Sequence, residues 1–147
     1  MKSKLFLLLM STMLVATGAF AAGVGYIDYG KVQENYPLAQ SAIKEIDAKA
    51  LEIQQYMVDK EKQYKTLDTP LKKQNFEEAT AKELQAKEDA LLKLKNQKEE
   101  LVYSKIREAA NKVLVEQNLD GIVDFRVMFV GGVDVSDQVI QKLKAAK

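Results

Sequence analysis

Apolar side chains recur along residues 37–67 at Ala39, Ile43, Ile46, Ala50, Ile53, Met57, Tyr64 and Leu67, with Lys60 as the polar residue in the series. The steps alternate four and three. A period of about 3.5 is the seam of a coiled coil, narrower than the stripe of an ordinary surface helix. The enclosing stretch from Pro37 to Asp120 has no glycine, and its internal proline is Pro70. Ala, Leu, Glu, Lys and Gln fill it, and all are good helix formers. A helix is predicted over residues 38–67, on the order of 45 Å long.

A turn follows within residues 68–75. Thr69 can cap a new helix with Pro70 in its first position. Asn75-Phe76-Glu77-Glu78 offers a second start, with Glu78 in the capping-box position. From either start the helix returns to about Asn118. Its seam reads Phe76, Thr80, Leu84, Leu91 and Leu94, interrupted by Lys87 and Lys98, and resumes as Val102, Ile106, Ala109 and Val113. The change of frame takes an inserted four-residue step, which locally unwinds a coiled coil. The outer hairpin is therefore expected to pack loosely, and residues 102–119 tightly. Glu45–Lys49, Glu61–Lys65, Glu78–Lys82, Glu83–Lys87 and Asp89–Lys93 stand at i,i+4 with the acid first, the favourable order on a solvated helix face.

The flanks change period. Residues 24–29 read as a strand, residues 31–36 as a short helix closed by Pro37. Gly121 suits the position just past the long helix. Residues 122–130 carry the strongest strand signal, with Val123, Phe125, Val127 and Phe129 on one face. Gly131-Gly132 predicts a hairpin turn into residues 133–135. Ser136 is a helix cap for a last helix to Leu143. Tyr26, Tyr29, Tyr36, Phe125 and Phe129 are expected in the core of this body. Strands from both ends of the chain can meet in one small sheet, whose exposed edges would be removed by pairing with other copies. The apolar face Val123, Phe125, Val127 and Phe129 is the expected oligomerisation surface.

Residues 1–21 read as a secretory signal peptide: Lys2 and Lys4, an apolar run from Leu5 to Val15, and Ala19-Phe20-Ala21 for cleavage. Counting all 147 residues gives 22 basic and 21 acidic side chains; without Lys2 and Lys4 the mature balance is −1. No net basic field points to nucleic acid. With no cysteine there is no lipid attachment at a lipobox and no disulfide. Without histidine or cysteine, catalytic triads, Cys-His nucleophiles and Cys/His metal sites are excluded. No phosphate-loop or dinucleotide fingerprint is present. The expectation is no enzyme, no catalytic residue, no cofactor, no metal and, after cleavage, no stable membrane anchor.

Gly25-Tyr26-Ile27-Asp28, Lys31-Val32 and Tyr36-Pro37, then the charged hairpin, then Leu119-Asp120-Gly121-Ile122-Val123 and Asp134-Val135-Ser136-Asp137 before Val139-Ile140 together resemble the Skp (OmpH-like) periplasmic chaperones. The resemblance spans the whole mature chain. It implies an α+β, mostly α fold: a long antiparallel helical hairpin (residues 38–118) projecting from a small β-body (residues 22–37 and 119–147) that assembles as a homotrimer. It implies a soluble, exported, ATP-independent holdase that shelters unfolded outer-membrane β-barrel proteins between its arms. No client-binding residue is named by the sequence. The rival class is a structural or adaptor coiled coil of the cell envelope, in which the arms would bundle into one continuous seam.

Overall fold

A computed structural model describes residues 23–146. The expected leader, residues 1–21, lies outside the described residues.

Strand β1 (Val24–Ile27) runs into helix α1 (Tyr29–Glu34), whose start is capped by the Asp28 carboxylate accepting from the Lys31 N–H at 3.0 Å. Tyr36 is extended, as a residue before proline must be, and Pro37 opens α2 (Pro37–Lys65). The chain turns through residues 66–69. Of the two possible starts, Thr69-Pro70 is used: Thr69 Oγ1 accepts from the Lys72 N–H at 3.3 Å, and Asp68 pairs with Lys72 at 2.9 Å. Helix α3 (Pro70–Glu116) returns over 47 residues, about 70 Å. The helix is closed by Asn118, not by Gly121. Asn118 adopts φ 51°, and the Leu119 N–H reaches back to the Leu114 carbonyl at 3.0 Å, the Schellman closure.

The expected strand over 122–130 is cut short. Strand β2 spans Gly121–Asp124 only, and Phe125–Val127 form a 3-10 turn. The cause is local. The Asp124 carboxylate accepts from the Arg126 backbone N–H at 2.9 Å and from its guanidinium at 2.9 and 2.7 Å, which bends the chain out of the ladder. The Gly131-Gly132 hairpin is also absent. Strand β3 (Val133–Asp134) pairs with β1, not β2; the sheet order is β2-β1-β3 and both pairings are parallel. Residues 125–132 cross from one edge of the sheet to the other. Two glycines at φ 82° make so short a parallel connection feasible.

Helix α4 (Ser136–Ala145) closes the body. Ser136 is its first residue and not its cap. The Asp134 carboxylate accepts from both the Ser136 N–H (2.9 Å) and hydroxyl (2.6 Å), while Ser136 Oγ accepts from the Asp28 N–H at 2.9 Å. This buried serine ties the end of β1 to the start of α4.

One core joins body and arm base: Ile27, Val32 and Tyr36, Ala39 and Ala42 of α2, Val102 to Val113 of α3, and Val135, Val139, Ile140 and Leu143. Of the five aromatic side chains expected there, Tyr36 is buried, Tyr26 and Tyr29 are half-buried, and Phe125 and Phe129 are exposed. The return seam holds as read, down to half-buried Lys87 and Lys98. On α2 the expected seam drifts: Ile43 and Met57 are exposed, while Ala42 is buried and Tyr56 half-buried. Beyond the base, Ile53 is the one buried side chain among the described arm residues, so the outer hairpin is the looser part.

Candidate interaction surfaces

The outer arm carries a groove of about 460 Å³ between α2 and α3. Tyr56, Lys60 and Tyr64 stand four apart on α2 and so share one face. Phe76, Thr80 and Leu84 do the same on α3. The Tyr64 and Phe76 rings meet at 6.3 Å in a tilted pair. Lys60 lies 5.0 Å over the Tyr56 ring and 5.4 Å over Phe76; Lys87 covers Tyr56 at 4.9 Å, and Lys73 covers Tyr64 at 5.3 Å. Each such cation–ring contact contributes about 0.5–1 kcal/mol at an exposed site. The floor is thus apolar and the cover is made of flexible lysine side chains.

The charges in the groove are fixed by their partners. Tyr56 donates to Glu83 at 2.6 Å and Lys60 pairs with the same carboxylate at 3.0 Å. Glu83 is held below the usual carboxylate range by the Tyr56 hydroxyl and then by Lys60. Lys60 is pushed up by its bond to Glu83. Burial, then the bond to Glu83, pushes Tyr56 up. All three keep their ordinary ionisation at neutral pH. Thr80 Oγ1 is buried with no hydrogen-bond partner among the described residues. The expected i,i+4 pairs are partly redirected: Glu61–Lys65 forms at 2.6 Å, but Glu45 crosses to Lys98 at 2.5 Å and Lys49 takes Glu52.

The second surface is on the body. Val123, Phe125, Val127 and Phe129 do not share a strand face. Val123 is half-buried in β2, whereas Phe125 is 44%, Val127 75% and Phe129 103% exposed on the crossing loop. Val130 at 82% extends the patch. The Asp124–Arg126 clasp holds the loop's start, and the Arg126 guanidinium pulls the Asp124 carboxyl down to about 2.

Neither surface contains a nucleophile–base pair. Among the described residues there is no acidic cluster able to hold a metal, and no helix is long and apolar enough to cross a membrane. Of the groove residues, Tyr56 escaped the sequence reading. Its signal was the Tyr56-Lys60-Tyr64 spacing, which places two rings beside the polar residue of the seam.

Residues 23–143, which hold the whole sheet, the hairpin and most of α4, match the family described as Outer membrane protein (OmpH-like). The chain belongs to the OmpH-like family. Among solved structures it is similar to an OmpH-like candidate outer membrane chaperone from Caulobacter crescentus CB15, with 15% identity, 86% of each chain covered and a TM-score of 0.40. No curated protein matches it.

Proposed function

We propose that this OmpH-like chain is an ATP-independent periplasmic holdase that keeps unfolded outer-membrane β-barrel proteins from aggregating in a cavity between helical arms. Family membership supports a chaperone role. The observation that carries the reading is the groove of Tyr56, Met57, Tyr64, Phe76 and Leu84, which stays open although α2 and α3 are already paired. An apolar floor edged by lysine ammonium groups takes many side chains weakly and none specifically. Several such contacts on several arms hold a client by avidity without any single tight site.

In this reading three copies bury Phe125, Val127 and Phe129 against one another, which sets the arms around a shared space. Residues 1–21 direct export and are removed. The test is dilution of a urea-denatured β-barrel protein into buffer with and without the mature chain, followed by light scattering. Suppression that needs no ATP is expected. A client that scatters equally with and without the chain would leave the adaptor role as the better reading.

A further inference from the structure

A cleft of about 520 Å³ opens at the base of the arm, where α3 and α4 meet the start of α2. Its floor is apolar: Tyr36, Pro37, Leu38, Ala109 and Leu143. Its rim carries Lys105, Lys112, Lys142 and Lys144 against Glu108. In a chain with 22 basic and 21 acidic residues, so one-sided a rim is a local feature that composition does not supply.

Two of the lysines are already satisfied. Lys105 holds Glu108 at 3.0 Å, and Lys142 holds Glu116 at 2.6 Å. Among the described residues, Lys112 and Lys144 form no ion pair. Side-chain carboxylates already dock on this rim at Lys105 and Lys142, and Lys112 and Lys144 leave two further ammonium groups of the same rim for a carboxylate from outside the chain. An apolar floor beneath unpaired ammonium groups fits a ligand whose negative charge sits next to an apolar group.

We propose that this cleft docks an acidic peptide segment, one with a carboxylate side chain beside an aromatic or aliphatic side chain. The carboxylate bridges Lys112 and Lys144, and the apolar neighbour lies on Leu38 and Ala109. The site is separate from the arm groove and does not depend on the holding role proposed for it.

The test is fluorescence anisotropy of a labelled octapeptide in which two glutamates flank a phenylalanine, titrated with the mature chain. Its twin with glutamines in place of the glutamates is expected to bind about tenfold more weakly or worse. Lys112→Glu/Lys144→Glu should abolish binding with unchanged circular dichroism and oligomeric state. Lys112→Arg/Lys144→Arg should retain it, and Lys73→Glu, on the outer arm, should bind as wild type. Equal affinity for the two peptides, no binding up to millimolar concentration, or wild-type binding by the charge-reversed chain would overturn the proposal. So would a change of oligomeric state in that variant, which would assign the cleft to a second copy. Loss of binding to phosphatidylglycerol vesicles with peptide binding intact would likewise overturn it, assigning the lysines to a membrane surface.

Discussion

The Lys60 ammonium sits 3.0 Å from the Glu83 carboxylate and joins the two helices of the arm across their seam. Only 22% of the Lys60 side chain is exposed, so a charge occupies a position the heptad would give to an apolar residue. Lys98 repeats the arrangement nearer the body by crossing to Glu45. Polar residues at seam positions fix register and cost stability.

Lys60→Leu is therefore expected to stabilise the arm. A pair with an exposed partner contributes about 0–1 kcal/mol, whereas burying a leucine contributes about 1.5–3 kcal/mol when burial is complete. Glu83 stays half in water and needs no replacement partner. The two ring contacts of Lys60 are lost as well, at about 0.5–1 kcal/mol each, so the net gain should be about 0.5 kcal/mol or less, read as slightly slower hydrogen exchange of amides in the second half of α2. Faster exchange would mean that the pair and its ring contacts outweigh burial.

The groove has its own test. Tyr56→Ala/Phe76→Ala removes both rings that Lys60 covers. Client protection is expected to fall by half or more at equal concentration, with helicity and oligomeric mass unchanged. Leu92→Ser, at an exposed arm position outside the groove, should protect as wild type. If the two variants protect alike, the groove is only a seam defect.

Gly25 is constrained by space and not by conformation. A Cβ there would stand 2.8 Å from Leu119 Cδ1, 3.3 Å from Ile122 Cγ1 and 3.4 Å from Val135 Cγ2. All three neighbours are packed side chains of the body. Gly25→Ala should cost about 1–3 kcal/mol through overpacking, seen as a lower urea midpoint. Gly121→Ala, where nothing lies within 4 Å, should change it little.

The arm was legible because its information is local and repeated. Phe76, Thr80, Leu84, Leu91 and Leu94, then Val102 to Val113, follow one face for the length of α3, and a single misplaced residue cannot hide such a series. On α2 the packed side chain stands one residue before the periodic one at two positions, Ala42 for Ile43 and Tyr56 for Met57. Ala42 and Ile43 are adjacent and both apolar, so the period alone does not choose between them; packing against α3 does. The body was less legible because its strands pair over long sequence distances. Alternation over residues 122–130 is real, yet a short-range clasp between Asp124 and Arg126 overrides it. Parallel pairing of β1 with both β2 and β3 leaves no mark comparable to a hairpin turn, and Gly131-Gly132 serves a crossing that looks like one. The groove was half visible: Met57, Tyr64, Phe76 and Leu84 stand in the seam series while Tyr56 does not, and openness comes from helix separation, which the sequence does not encode position by position.

The Asp124 clasp has a defined pH signature. Its carboxyl titrates at about 2 in the folded chain, against about 3.9 for an unperturbed aspartate. The folded-state value is the lower one, so the contribution is complete above about pH 4 and is lost as pH falls towards the folded value. The Asp124 carboxyl carbon, followed by NMR, should titrate near that low value, and Arg126→Gln should bring its midpoint up. A midpoint near that of a free aspartate in the unaltered chain would mean the clasp is open in solution.

Phe129 offers the sharpest test of where copies of the chain would meet. Its side chain is fully exposed, and Val127 and Val130 beside it are nearly so, which makes a contiguous apolar patch on the body. Because Phe129 packs against nothing within its own chain, Phe129→Asp should alter protomer stability by no more than about 0.5 kcal/mol. In an assembly that buries the patch, the same change loses about 1.5–3 kcal/mol per copy and leaves an unpaired charge in an apolar contact. The expected result is unchanged helical circular dichroism and melting, a light-scattering mass that drops to one chain, and lost client protection. Leu92→Asp, an equally apolar exposed residue on the arm, should keep the assembled mass. Arg126→Asp is not a neutral control: it sets a second carboxylate against Asp124, opens the 3-10 turn, and should weaken assembly to an intermediate degree. A Phe129→Asp chain that keeps the wild-type mass would remove the loop from the interface, while one that loses helicity together with mass would show that the patch supports the fold of each chain and not the contact between chains.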